Sequence, residues 1–236
     1  MFPRIVLLAL AVSLAALLAA CSHGEATPVD LPPAIAATEP VAQPLSTITD
    51  TDAASPPAPA EPAPLALHLE AFMDGGVIPD RYTCLGANDS PAVSWSGVPA
   101  EAQALVLIVY DADAGADLGA GNELGFLHWM VYDLPATATG LPLAATGDGG
   151  LLAGGIETAN DFSGAAGGRF PGGAAIRGTG YDGPCPPAQH TYVFRLLALN
   201  ERLGFPLGTP YASVMSALEG HVLAVADWRG IYPPAQ

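Results

Sequence analysis

The sequence predicts a mostly β single domain with one C-terminal helix and Gly/Pro-rich loops gathered at one end. Three observations carry that expectation. Three runs rich in branched and aromatic residues, Gln103 to Tyr110, His128 to Leu134 and Thr191 to Leu199, have the length and composition of buried strands. Only the stretch from Tyr211 to Ala224 repeats apolar residues at helical spacing. Between Leu141 and Gly180 the chain places 12 Gly in 40 residues, a density that suits loops better than regular elements.

At the N-terminus, Arg4 precedes an apolar run of 14 residues, Ile5 to Leu18, which is short for a membrane span and fits an export signal. It ends in Leu18-Ala19-Ala20-Cys21, which resembles the lipobox of bacterial lipoproteins, with a small residue before an acylated cysteine. The plainer alternative is secretory cleavage after Ala20 beside an incidental cysteine. Ser22 follows, and a residue other than Asp there fits transfer to an outer membrane. The next 43 residues, Ser22 to Pro64, hold 10 Pro and 10 Ala and too few large apolar side chains to build a core. The expected organisation is a lipoprotein signal peptide over 1–20, a lipidated Cys21 with a disordered Pro/Ala-rich tether over 21–64, and a folded domain over 65–236.

Within the domain, short extended pieces are expected at Leu65 to Phe72 and Val93 to Trp95. The strand from Gln103 is closed by an Asp-Ala-Asp-Ala-Gly turn signal, and the strand from His128 by Pro135. Pro210 opens the expected helix, whose apolar face is Val214, Leu218, His221 and Val222. Asp227 to Tyr232 reads as a last short strand. No internal repeat supports a propeller or solenoid.

The whole chain of 236 residues has 23 acidic residues against seven basic ones, all Arg, for a net charge of -16. That balance excludes a basic nucleic-acid footprint and leaves no cationic cluster for docking on anionic lipid.

Polar residues collect at strand ends. Asp111 and Asp113 are two apart just after a buried strand, so in extended geometry they face the same way. His128 opens a strand and would share a face with Met130 and Tyr132; His190 shares a face with Tyr192 and Phe194. If those strands are neighbours, two aspartates and two histidines converge on one pocket. The alternative is that the aspartates shape a turn and the histidines satisfy backbone groups. Further on, Gly183-Pro184-Cys185-Pro186-Pro187 is stiffened by its prolines and makes a rigid wall.

Ten or more fragments in order then resemble the phosphatidylethanolamine-binding protein family, also called Raf kinase inhibitor-like, in its bacterial branch. They are Ile78-Pro79, Tyr82-Thr83-Cys84, Ser90-Pro91, Trp95, Pro99, Asp111-x-Asp113, His128-Trp129, Asn160-Asp161, the Gly183 to Pro187 loop, His190-x-Tyr192, Ala198-Leu199 and Gly220-His221. The resemblance implies a β-sandwich-like fold with a large central sheet and a small pocket for phosphate-type anions and phospholipid head groups. It assigns Asp111, Asp113, His128, Gly183, His190 and Tyr192 to that pocket, with Tyr181 and Pro186 as walls. Histidine and tyrosine would donate to phosphate oxygens. Asp111 would orient a histidine, stay protonated or accept from an ammonium group. The family's Asp-Pro-Asp-Ala-Pro turn stands here as Asp111-Ala112-Asp113-Ala114-Gly115, and the loss of both prolines implies a looser rim.

The same resemblance brings the loops of Cys84 and Cys185 together and implies a disulfide between them in an exported domain. The function expected is a membrane-anchored binding module in the cell envelope, facing the periplasm from the outer membrane. Its partners would be a phosphate-containing small ligand or phospholipid head group, the membrane through Cys21, and a protein partner. Neither a cofactor nor a metal nor catalysis is expected. Inhibition of an envelope protease or another protein partner is the alternative. A metal-assisted hydrolase is less favoured because no His-Glu-x-x-His spacing or Gly-x-Ser-x-Gly elbow occurs.

Overall fold

Strand β4 (Ala104–Asp111) is buried at every residue, because it runs through the middle of a sheet covered on both faces. That burial is the physical reason for its unbroken apolar run. The computed structural model describes residues 63–114, 125–145 and 149–232. The expected signal peptide, Cys21 and nearly all of the tether lie outside the described residues.

Among the described residues, ten strands form two sheets. A three-stranded antiparallel sheet pairs β3 (Val93–Ser96) with β1 (Ala66–Leu69) and β6 (Gly140–Leu141). The seven-stranded sheet has the order β2-β10-β9-β4-β5-β8-β7, comprising β2 (Gly76–Val77), β5 (Phe126–Pro135), β7 (Leu151–Leu152), β8 (Gly155–Glu157), β9 (His190–Leu199) and β10 (Val222–Tyr232). All its pairs are antiparallel except β10 with β2. One face, carrying Leu105, Leu107, Val109, Trp129, Phe194 and Leu196, packs on Leu67, Leu69, Val93 and Trp95 of the small sheet. The other, carrying Val106, Ile108, Met130, Tyr132 and Leu197, packs on Val214 and Leu218.

The strands β4, β5 and β9 fall where the sequence predicts them, within two residues. The C-terminal reading needs correction. Helix α1 covers only Tyr211–Ser216, and the residues after it turn through Gly220 (φ +80°) into β10, an 11-residue strand rather than a short one. Val214 and Leu218 are buried as helical spacing requires, but His221 and Val222 belong to the turn and the strand and are not core. The Gly-rich stretch is also not wholly irregular: β7 and β8 extend the large sheet from it.

Strand β5 carries two irregularities that matter for function. Val109 pairs with Trp129 but its neighbour Tyr110 pairs with Leu127, so His128 is an extra residue in the ladder. A second extra residue falls between Val131 and Leu134, where Asp133 adopts φ +56° and its carboxylate accepts from the Leu203 and Gly204 amides at 2.8 and 2.9 Å.

Candidate functional site

Antiparallel pairing brings the end of β4 and the starts of β5 and β9 to one edge of the sheet, with Asp111 in register with both Phe126 and Tyr192. The condition set by the sequence, that the histidine-bearing strands be neighbours of the aspartate-bearing one, is met. Gly125 is needed here, since a side chain at φ +82° would collide with the Asp111 carbonyl. A pocket of about 160 Å³ opens at this edge, lined by Asp111, Ala114, Phe126, His128, Phe162, Cys185, Pro186, Pro187, His190 and Tyr192.

The bulge at His128 decides which way its ring goes. It takes His128 out of phase with Met130 and Tyr132, whose face it was expected to share, and sets it against Tyr192, Phe126 and Phe162 with ring centroids 5.1–5.4 Å apart. The ring is 2% exposed, and its Nδ1 donates to the Asp182 carbonyl oxygen at 2.6 Å. Burial pushes the His128 pKa below the ordinary histidine value, outweighing the opposing pull of that hydrogen bond and of the Asp111, Asp182 and Asp161 carboxylates.

Asp182 is itself held from several sides. Its buried carboxylate accepts from Asn88 and Asn160 side chains at 2.9 and 3.0 Å and from the Arg177 and Gly178 amides, while its own amide donates to the His128 carbonyl. The loop that receives His128 is therefore fixed before any ligand arrives.

Asp111 accepts from three donors: the Asp113 and Ala114 amides on Oδ1, both at 3.0 Å, and His190 Nδ1 on Oδ2 at 2.7 Å. Of the roles open to it, orienting a histidine is the one this geometry displays. Asp113 accepts from the Thr191 amide at 2.6 Å, so the turn that lacks the family's prolines is tied to β9 by hydrogen bonds instead. The Tyr192 hydroxyl is buried and makes no hydrogen bond of good geometry among the described residues. Burial first, and the adjacent Asp111 carboxylate second, raise its pKa, so it stays a phenol and a potential donor.

The eight residues expected at the site divide accordingly. Asp111, His128, Pro186, His190 and Tyr192 line the pocket. Asp113 acts behind it through the turn. Tyr181 lies in the core against Trp129 and donates to the Tyr82 carbonyl, and burial raises its pKa. Gly183 packs against the Tyr82 carbonyl so closely that no side chain fits, and its amide donates to Asn88. Both shape the loop rather than the cavity. Cys84 and Cys185 form a disulfide with Cα atoms 5.3 Å apart, which ties the Pro186-Pro187 wall to the loop after Tyr82.

Phe126 and Phe162 were missed by sequence reasoning. Phe126 stands two residues before His128, a detectable signal. Phe162 sits in the Gly-rich insertion, held by the Asn160 side chain accepting its amide, and only an isolated aromatic among glycines marked it. A larger cavity, about 650 Å³, lies between Glu157, Arg177 and the 207–210 loop. It lacks the convergence of histidines, carboxylate and buried phenol found in the smaller one. Among the described residues, no three metal-ligating side chains come together and no helix is long and apolar enough to cross a membrane.

Comparison with known proteins places these features in a family context. The family profile described as phosphatidylethanolamine-binding protein matches residues 68–233. A UPF0098 protein of Methanothermobacter thermautotrophicus is 40% identical over 168 residues, covering 70% of this chain and 97% of the relative. A Mycobacterium tuberculosis relative named as a lipoprotein, LppC, is 34% identical over 189 residues, covering 77% of this chain and 80% of its own. Among solved structures, a Chlamydia trachomatis phosphatidylethanolamine-binding protein homologue superposes with a TM-score of 0.58 at 30% identity, over 73% of this chain and 99% of that one. E. coli YbcL, described as a member of the mammalian family, gives the same TM-score at 28% identity over 73% of this chain and 100% of its own. Since the profile runs through both sheets and every residue of the histidine pocket, this chain belongs to the phosphatidylethanolamine-binding protein family.

Proposed function

We propose that this protein is a lipid-anchored binding module of the cell envelope, whose histidine pocket holds a phosphate-type group, free or on a larger molecule. The observation that carries the reading is the set of polar atoms left over in the pocket. After internal bonds are assigned, the Nε2 atoms of His128 and His190 remain without a partner among the described residues, and the buried Tyr192 hydroxyl has only a loose contact with the Asp111 carboxylate. Three polar groups with bonding capacity to spare around a cavity of about 160 Å³ call for a compact polyatomic ligand, not an apolar one.

Binding without catalysis fits the same wall. Among the described residues it has no serine or threonine, its cysteine is in a disulfide, and its carboxylate is committed to His190 and two amides. Anchoring is supported by the Cys21 motif and by the relative named as a lipoprotein, and the tether would space the domain from the membrane. Replacing His190 with Ala removes one ligand contact and the partner of Asp111. Calorimetric titration with inorganic phosphate should then show affinity lower by about tenfold or more, the equivalent of roughly 1–3 kcal/mol. Unchanged affinity would place the anion elsewhere.

A further inference from the structure

We infer that His128 makes this pocket select a phosphate group that still carries a proton, P–O–H, over sulfate and over phosphodiesters. The inference rests on the anion-pocket reading above and specifies the ligand that pocket takes. It starts from a proton whose position the fold dictates. A backbone carbonyl can only accept, so the 2.6 Å contact to the Asp182 carbonyl oxygen puts a hydrogen on His128 Nδ1. In the neutral ring Nε2 then carries a lone pair and no hydrogen. The polar atom that His128 can offer a ligand is an acceptor, not the donor that a histidine beside an anion suggests.

The arrangement cannot easily reverse. The Asp182 loop is clamped by two asparagine side chains and two backbone amides, and the imidazole is packed edge-on against Phe162 and Tyr192 and tilted against Phe126. Protonating Nε2 would place a cation in a site 2% exposed, with only the Asp111, Asp161 and Asp182 carboxylates near it. Each of those is already engaged: Asp111 by His190 and two amides, Asp161 by the Leu127 amide and Tyr211 hydroxyl, and Asp182 by its clamp.

A ligand therefore has to satisfy a mixed set: an acceptor at His128 Nε2, a donor at the Tyr192 hydroxyl, and His190 Nε2, which accepts when the ring is neutral and donates as the imidazolium. Hydrogen phosphate and the monoanion of a phosphate monoester have both an O–H and bare oxygens. Sulfate and a phosphodiester have bare oxygens only, and would set a lone pair against the lone pair of Nε2. Among the described residues no arginine lies on the wall to compensate a higher ligand charge.

Four probes separate the outcomes when titrated into the full chain in detergent by calorimetry at pH 5.5 and pH 8. These are inorganic phosphate, methyl phosphate, dimethyl phosphate and sulfate. Phosphate keeps an O–H at both pH values and should bind at both, which controls for any effect of pH on the protein itself. Methyl phosphate loses its O–H at a second ionisation near about pH 6, so its affinity relative to phosphate should fall at least about tenfold at pH 8. Sulfate and dimethyl phosphate should bind at least about tenfold more weakly than phosphate at either pH. Nitrogen NMR of the free protein should also find His128 Nε2 without a proton. Equal binding of all four probes, or a protonated Nε2, would overturn the selectivity and leave an anion pocket standing. Binding of none would overturn the anion pocket and the selectivity together.

Discussion

His128 is the residue where sequence and structure diverge most usefully. The sequence marked it by position, at the head of a strand, but assigned it to the Met130 face and gave it the role of a donor. A single extra residue in the ladder, which no spacing rule anticipates, turns the ring toward Tyr192, and the Asp182 carbonyl fixes its tautomer. Burial that outweighs the pull of the neighbouring carboxylates has a measurable consequence for stability. An unfolded histidine takes up its proton near about pH 6.5, whereas the folded His128 does so only at lower pH. Between those two values the unfolded state binds the extra proton. Stability from this group is therefore complete above about pH 6.5 and declines as the pH falls, by at most about 1.4 kcal/mol per pH unit. Denaturant unfolding between pH 7.5 and 5 should show the decline, and a His128→Gln variant should show a shallower one. Parallel profiles for the two proteins would mean that His128 titrates normally.

At the scale of the element, the strands were legible because each is buried on one or both faces and had to be apolar along its length. The bulges of β5 were not, because they depend on what lies across the ladder and beyond it. Asp133 illustrates the dependence: its backbone sits at φ +56°, and its carboxylate holds two amides of the 203–204 loop. Asp133→Ala keeps the unfavourable backbone geometry and loses both acceptors, so it should destabilise by about 2–4 kcal/mol in equilibrium unfolding. Asp133→Asn, which retains an acceptor and tolerates this φ, should recover a good part of that loss. Equal stability of all three proteins would show the bulge to be held by packing alone. The misread helix has the same origin. Val214 and Leu218 satisfy helical spacing across a six-residue helix and the turn after it, while the apolar side chains of Val222 and Val225 belong to an exposed stretch of β10. Local periodicity does not distinguish a core face from the solvent-exposed end of a strand.

For the whole molecule, two sheets and a disulfide together position one small pocket. The bond between Cys84 and Cys185 spans 101 residues, a loop long enough that chain-entropy arguments assign it several kcal/mol. Replacing both cysteines with serine should lower unfolding free energy by about 2–5 kcal/mol. It should also weaken phosphate binding, because the Pro186-Pro187 wall loses its tie. Unaltered thermal stability would show that the loops are held by other contacts. The pocket's outline was readable in the sequence through Asp111, His128, His190 and Tyr192, which follow the strand ends; Phe162 was not, because it reaches the pocket from a Gly-rich loop with no periodicity. The claim on which the functional account rests is that this pocket holds a phosphate-type group. Titrating the protein with phosphate and phosphoethanolamine while recording the His128 and His190 ring resonances tests it most directly. The account predicts saturable shifts of both rings with one shared affinity; rings that stay unmoved in a folded sample would contradict it.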